Sequence, residues 1–229
     1  MFNICMNIYY DIRMYTTDIW ADLPMAIKQD LDSQSRKIEL KRGDFIYRQG
    51  DQPQGLYFVK NGLVGLMMIG EKSGKEHLLR FFRQGQFFGH RALFSDEGYH
   101  GSTVVLESTI LKIVPKNIIL EVIDKNPILL KKVVTVLSKE LRRSENHQVM
   151  ILENQILVRT AQSLVYLKDL HPYHQWTRQE IANFCASTVS TIIKALAELE
   201  NLGMIRQVGR SIEIIDRNAL IEFQDKESI

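Results

Sequence analysis

The chain has 229 residues, with 29 Lys/Arg against 27 Asp/Glu and two cysteines. That length suits two modest domains, the near-neutral balance excludes a global basic field for nucleic acid, and two cysteines exclude a disulfide framework or four-thiolate cluster. A reducing cytoplasm is the expected compartment. No apolar run approaches the roughly 20 residues of a membrane span, and MFNICMNIYYDIRMY lacks the charged start of a signal peptide.

Residues 1–36 read as an N-terminal extension with helices, packed on the first domain. Residues 37–115 read as a β-roll. Eleven of the thirteen glycines lie between Gly43 and Gly101, among apolar runs such as Leu56-Tyr57-Phe58-Val59 and Leu63 to Ile69. Short strands with glycine-rich turns argue for a barrel or a double-sheet jelly roll. Asn61-Gly62 and Ser73-Gly74 are the hairpin-turn candidates, since glycine accepts positive φ without a Cβ clash. The roll is expected to end at Val114-Pro115.

Residues 116–154 read as connecting helices, the second of them long. Pro127 suits a first helical turn, where its missing N–H costs nothing. Leu130, Val134, Leu137, Leu141, Ser144, Gln148 and Ile151 then follow a four-three alternation, the spacing of a dimer seam. Lys131, Lys132, Lys139, Glu140, Arg142 and Arg143 are placed on the other faces. A single helix packed on its own domain is the competing reading. The length without Gly or Pro favours a homodimer.

Residues 155–229 read as a winged helix-turn-helix. Gln155 to Leu170 forms one helix, closed by His171-Pro172. Ile181, Phe184 and Cys185 fit the apolar side of a short helix, and Ile192, Leu196 and Leu199 that of a second. Ala186-Ser187 lies between them, with Thr188 as N-cap. Val189, Ser190, Ile193 and Lys194 are the outward candidates for a major groove, which a recognition helix reads from its N-terminal turns. Gly203 stops that helix, and Gly209-Arg210 turns a hairpin carrying Arg206 and Arg210. From Ile156 onward there are eight Lys/Arg against nine Asp/Glu, so DNA affinity must come from local placement. An ordinary packed helix pair is the bland alternative; the order of turn, cap, polar face and wing favours double-stranded DNA.

The order of roll, long helix and winged helix-turn-helix resembles the CRP/FNR family of bacterial transcription regulators over about Lys37 to Asp216. The resemblance rests on Gly43-Asp44-Phe45-Ile46 with Gln49-Gly50, Leu56-Tyr57-Phe58-Val59 with Asn61-Gly62, Gly85-Gln86-Phe87-Phe88-Gly89, and Thr177-Arg178-Gln179-Glu180-Ile181-Ala182. It implies an α+β chain with a sensor roll related to cyclic-nucleotide-binding domains. It also implies a homodimer, a near-palindromic operator, RNA polymerase as a further partner, and a phosphate contact by Arg178. Lys194 can approach guanine, Val189 a thymine methyl, and Ser190 is permissive; Arg206 and Arg210 suit phosphates.

Departures from the family pattern bear on the effector. Its cAMP-responsive members carry Gly-Glu-x-x-Leu-Phe and Arg-Ser-Ala, where carboxylate and guanidinium hold ribose and cyclic phosphate. Here the segments are Gly89-His90-Arg91-Ala92-Leu93-Phe94 and His100-Gly101-Ser102, and the adenine-reading Thr-Ser pair corresponds to Ser144-Glu145. Both charged anchors are replaced, and neutral histidine offers phosphate much less than an arginine fork. cAMP is therefore not expected as effector. An iron–sulfur cluster needs more thiolates than Cys5 supplies. Haem needs an axial ligand, for which His77, His90 and His100 are candidates more commonly found as satisfied or surface residues. No cofactor is expected, leaving an anion at Arg91 and His100 or an effector-free dimer controlled by abundance.

Two other function classes compete. A roll that docks ligands or partners without DNA binding is compatible with the modest charge. An enzyme is not expected, because no Walker A loop, dinucleotide fingerprint, HExxH or nucleophile elbow occurs.

Overall fold

The structure is a computed structural model that describes residues 23–95 and 97–223. The expected extension over residues 1–22, with Cys5 in it, and the tail after 223 lie outside the described residues. The chain divides into two compact units, with the division between Glu140 and Leu141 inside one long helix.

The first unit begins with helix α1 (Met25–Ser33) and strands β1 (Arg36–Leu40), β2 (Phe45–Tyr47), β3 (Gly55–Asn61) and β4 (Leu63–Ile69). There follow β5 (Glu76–Arg83), β6 (Phe87–Phe88), helix α2 (His90–Ser95), β7 (Ser102–Val105) and β8 (Thr109–Pro115). Helix α3 (Lys116–Lys125) and helix α4 (Pro127–Glu153) come next. The strands form two open four-stranded sheets, ordered β1-β8-β3-β6 and β2-β7-β4-β5, with antiparallel pairing throughout. They make a double-sheet roll, not a closed barrel.

Strand β3 shows why its sequence is a continuous apolar run. Side chains alternate across a strand, and both faces of β3 are covered. Tyr57 and Val59 join Tyr47, Val64, Leu66, Phe82, Phe88 and Leu111 between the sheets. Leu56 and Phe58 instead meet Leu31 of α1, Ile119 and Val122 of α3, and Leu129, Val133 and Val136 of α4. Gly62 turns β3 into β4 at φ +97°, and a Cβ there would lie 2.3 Å from Thr109 Oγ1. Glycine is required both by backbone conformation and by space.

Helix α4 carries two rows. Leu129, Val133 and Val136 are buried, while Leu130, Val134 and Leu141 of the expected seam are exposed. Ser144 and Gln148 are exposed and Ile151 half-buried. Two expectations need correction. Leu137 is partly taken into the first unit's own core, because its position lies between the two rows. Glu140, expected with the other charges away from the apolar side, instead continues the inward row and is 9% exposed.

The second unit contains the end of α4, helix α5 (Ile156–Leu170), α6 (Arg178–Phe184), α7 (Val189–Asn201), strands β9 (Ile205–Val208) and β10 (Ser211–Ile214), and α8 (Arg217–Glu222). Ala161, Leu164, Leu167, Ile181, Cys185, Ile192, Leu196 and Leu199 are fully buried, as the helical spacing requires. Phe184 stacks on Tyr166 and on His147, with ring centroids 5.3 and 4.5 Å away. Burial holds the His147 imidazole down at about 4, against a raising hydrogen bond at Phe184. Helix α7 ends at Gly203, where φ is +74° and Met204 N–H reaches back to Leu199 O at 3.0 Å. That is a Schellman stop.

Helix α6 ends in the same way, with Ser187 N–H donating to Ala182 O at 2.9 Å, but the left-handed residue is Ala186 at φ +52°. An L-residue with a Cβ pays roughly 1–2 kcal/mol in that region. Ala186 is exposed, so no buried contact offsets the strain. Ala186→Gly is expected to raise stability by about 0.5–1 kcal/mol, measured as the urea midpoint at unchanged slope. A lower midpoint would show that the alanine methyl contributes packing to the turn.

Candidate nucleic-acid interface and roll cavity

The helix-turn-helix is set by caps. Thr177 accepts from the Glu180 N–H at 3.1 Å while the Glu180 carboxylate accepts from the Thr177 N–H at 2.8 Å, a reciprocal capping box at the start of α6. The buried Glu180 also meets the buried His174 imidazole at 3.2 Å. At the start of α7, Thr188 accepts from the Thr191 N–H at 3.2 Å, and its hydroxyl lies 3.0 and 2.8 Å from those of Ser190 and Thr191. Arg159 of α5 donates to Cys185 O at 3.2 Å, satisfying a carbonyl at the end of α6.

With Ile192, Ala195, Leu196 and Leu199 buried, the opposite side of α7 presents Ser190 and Lys194, both exposed, with Ile193 beside them at 52% exposure. Val189 is half-buried. It begins the helix on the side turned toward the buried row, so it stands at the margin of the outer face and not at its centre.

Arg178 is placed by contacts that sequence reasoning did not supply. Its guanidinium donates to the Arg210 carbonyl at 2.5 Å and to Gln207 Oε1 at 2.7 Å. Gln207 is held in turn by Glu200, whose carboxylate accepts from the Gln207 backbone N–H at 2.5 Å and from its side-chain amide at 2.9 Å. These bonds hold the Glu200 carboxyl below its ordinary range. The start of α6, the end of α7 and the wing are thereby tied together. On the wing, Arg206 faces Glu213 across the ladder, with bonds of 3.0 and 2.6 Å. Arg210 is exposed at the hairpin turn.

In the roll, the expected effector residues separate into two groups. Gly89, His90, Arg91 and His100 line one cavity, together with Arg80 and Tyr47. Gly89 has φ +91°, and a Cβ there would lie 2.9 Å from Gly55 O, so the glycine lets the chain turn against β3. Gly101 and Ser102 follow His100, with Ser102 opening β7, where its Oγ accepts from the Gln49 N–H at 3.0 Å. Ser144 and Glu145 are exposed on α4 and do not line it. His77 lies on β5, opposite Met68 of β4.

The cavity has a volume of about 20 Å³, room for about one water. Small-molecule pockets run to roughly 300–1,000 Å³. It is filled by the chain itself. Glu140 Oε2 lies 3.1 Å from His90 Nε2, 3.4 Å from Arg91 Nη2, and in direct ion-pair contact with Arg80 Nη1. Burial works to raise the Glu140 carboxyl, but the His90 hydrogen bond and the charges of Arg80, His90 and Arg91 hold it down at about 2. His100 stands at the mouth, its Nε2 3.4 Å from Arg91 Nη1. Desolvation of that edge, then the Arg91 and Arg80 charges, keep its pKa below the ordinary histidine value. One sequence signal for Glu140 existed: it prolongs the spacing of Leu129, Val133 and Val136, an apolar row in which a carboxylate needs a buried partner.

Residues 37–126 match the cyclic nucleotide-binding domain family, and residues 158–223 match the Crp-like helix-turn-helix domain. The chain is 26% identical over 208 residues to the CRP-like cAMP-activated global transcriptional regulator of Mycobacterium tuberculosis, covering 86% of this chain and 91% of that one. It is 40% identical over 96 residues to an uncharacterized protein of Haemophilus influenzae, covering 42% of this chain and 72% of that protein. Among solved structures, a CRP/FNR-family transcriptional regulator of Thermus thermophilus superposes with a TM-score of 0.68 at 28% identity, over 81% of this chain and 96% of that one. Roll, long helix and helix-turn-helix thus occur together and in order, and the chain belongs to the CRP/FNR family of bacterial transcription regulators.

Proposed function

We propose that this chain acts as a homodimeric, sequence-specific DNA-binding regulator that works without cAMP. The observation that carries the reading is the outer side of α7. A side-chain-capped helix exposes Ser190 and Lys194 beside a wing that Arg178 ties to it. Lys194 and Ser190 read base edges in the major groove, with Thr188 and Val189 at its margin. Arg178, Arg206 and Arg210 position the phosphates. Arg178 has two jobs, since its hydrogen bonds to the wing orient the guanidinium while its charge stays available to DNA. No catalytic step belongs to this reading.

The exposed row Leu130, Val134 and Leu141, continued by Ser144, Gln148 and Ile151, supports a dimer through α4. A two-fold dimer presents two recognition helices to half-sites about 34 Å apart, which makes a near-palindromic operator the natural target. RNA polymerase is the further partner of such a regulator in the cytoplasm. The roll's cavity of about 20 Å³ supports cAMP independence, because a nucleotide has no room beside Glu140.

Equilibrium sedimentation at micromolar concentration is expected to give a dimer for the wild type and a monomer for Leu141→Glu. That substitution should leave stability within about 0.5 kcal/mol, as it replaces a side chain 60% exposed in the single chain. A monomeric wild type would remove the dimer.

The operator is to be obtained by selection from a random DNA pool, then compared with scrambled DNA across a salt series. Arg178→Ala is expected to weaken both alike and to lower the salt slope by about one unit. Lys194→Ala is expected to cost about 1–3 kcal/mol at the operator alone and to relax one base preference. Equal losses on both DNAs would reassign Lys194 to the backbone, and absence of salt-dependent binding by the wild type would reject the regulator reading. Calorimetry is expected to show no cAMP binding at micromolar concentration; tight binding coupled to operator affinity would overturn cAMP independence.

A further inference from the structure

Arg80, His90 and Arg91 come from two elements of the roll, β5 and the first turn of α2, and converge on one oxygen. Their side chains are 6%, 3% and 35% exposed, and the Glu140 side chain that meets them is 11% exposed. Arg80 has a second hold on the same residue, since Nη2 donates to the Glu140 backbone carbonyl at 3.4 Å. His90 donates through Nε2, which leaves its buried Nδ1 without a hydrogen-bond partner.

We infer that the roll contains a built binding site for a small carboxylate, formed by Arg80, His90 and Arg91, and that its resident ligand is the side chain of the chain's own Glu140. Two guanidiniums and an imidazole converge on that one carboxylate, and breaking a buried ion pair by removing one partner is strongly destabilising. The three donors meet one oxygen, the arrangement of an anion receptor more than of a single ion pair. Because Glu140 is attached to α4, its effective concentration at the site is millimolar or higher. A free carboxylate of ordinary cellular abundance does not displace it. The site therefore docks the first half of α4 on the roll with no diffusible effector. The pocket assignment stands on the roll alone; its consequence for DNA rests on the regulator reading above.

The test uses the full chain, with acetate as probe and chloride at matched ionic strength as control. Glu140→Ala is expected to lower the thermal midpoint by about 5–15 °C. About 100 mM acetate should restore several degrees to this variant, while chloride restores none and acetate leaves the wild type unchanged. Adding Arg80→Met to Glu140→Ala should abolish the rescue. If Glu140→Ala does not fold, Glu140→Gln keeps the shape without the charge and is expected to melt several degrees below the wild type, with no response to acetate. Absence of acetate-specific rescue in a folded Glu140→Ala, or a wild-type midpoint for Glu140→Gln, overturns the inference. Where the wild type binds its operator, Glu140→Ala should bind it at least about tenfold more weakly, and acetate should recover part of the loss. A wild type that fails to bind DNA rejects the regulator reading but leaves the acetate result to decide the pocket.

Discussion

A carboxylate buried against guanidinium is the contact on which the order of the first unit depends. Taking either ion out of water alone costs several kcal/mol, and their mutual attraction offsets that cost only when geometry and extra hydrogen bonds are good. Glu140 meets both conditions, through Arg80, His90 and Arg91. The direction of its shift decides which effect wins: burial alone would raise the carboxyl, yet it is held at about 2. Its charge therefore persists throughout the pH range in which a cell lives. The Arg80 side chain is 6% exposed and meets Glu140 through both its carboxylate and its backbone carbonyl, so β5 and α4 are tied at that point. Leu129, Val133 and Val136 supply the apolar burial that brings the helix close, and the ion cluster fixes its register.

In the second unit the same division of labour holds between apolar burial and polar direction. Ile181, Ile192, Leu196 and Leu199 hold α6 and α7 together, but packing alone tolerates several helix angles. Thr177 with Glu180, Thr188 with Thr191, and Arg159 on the Cys185 carbonyl determine where each helix begins or ends. The chain through Glu200, Gln207 and Arg178 then fixes the wing against both helices. These bonds, more than the apolar packing, define the angle at which the outer side of α7 is presented.

Most of the architecture was legible in the sequence because its signals are local. Asn61-Gly62 marked a turn, the glycine run marked the roll, Pro127 marked the start of α4, and Thr188 marked the cap of α7. Each depends on a few adjacent residues. What escaped depends on residues far apart in the chain. Glu140 reads as one more charge on a helix rich in charges until Arg80, 60 residues earlier, is placed beside it. Arg178 was expected only as a phosphate contact and not as a tie to the wing, since its partners come 29 and 32 residues later. Val189 was expected outward because it precedes the apolar row, and the half-buried position reflects where the first turn begins.

The long helix α4 carries two such rows. Residues 129, 133, 136 and 140 form one four-three row, and 130, 134, 137 and 141 form another, displaced by one residue. A single-residue displacement is about 100° around a helix, so the rows lie on adjoining sides and share a border. Leu137 stands on that border and is partly taken by the first unit's core. The inward row is complete within one chain, with its last position charged and matched by Arg80. The outward row has Leu130, Val134 and Leu141 exposed at 42%, 52% and 60%, a degree of apolar exposure in one line that a second helix of the same pattern would cover. One helix can thus dock on its own roll through a buried charge while leaving an apolar row exposed beside it.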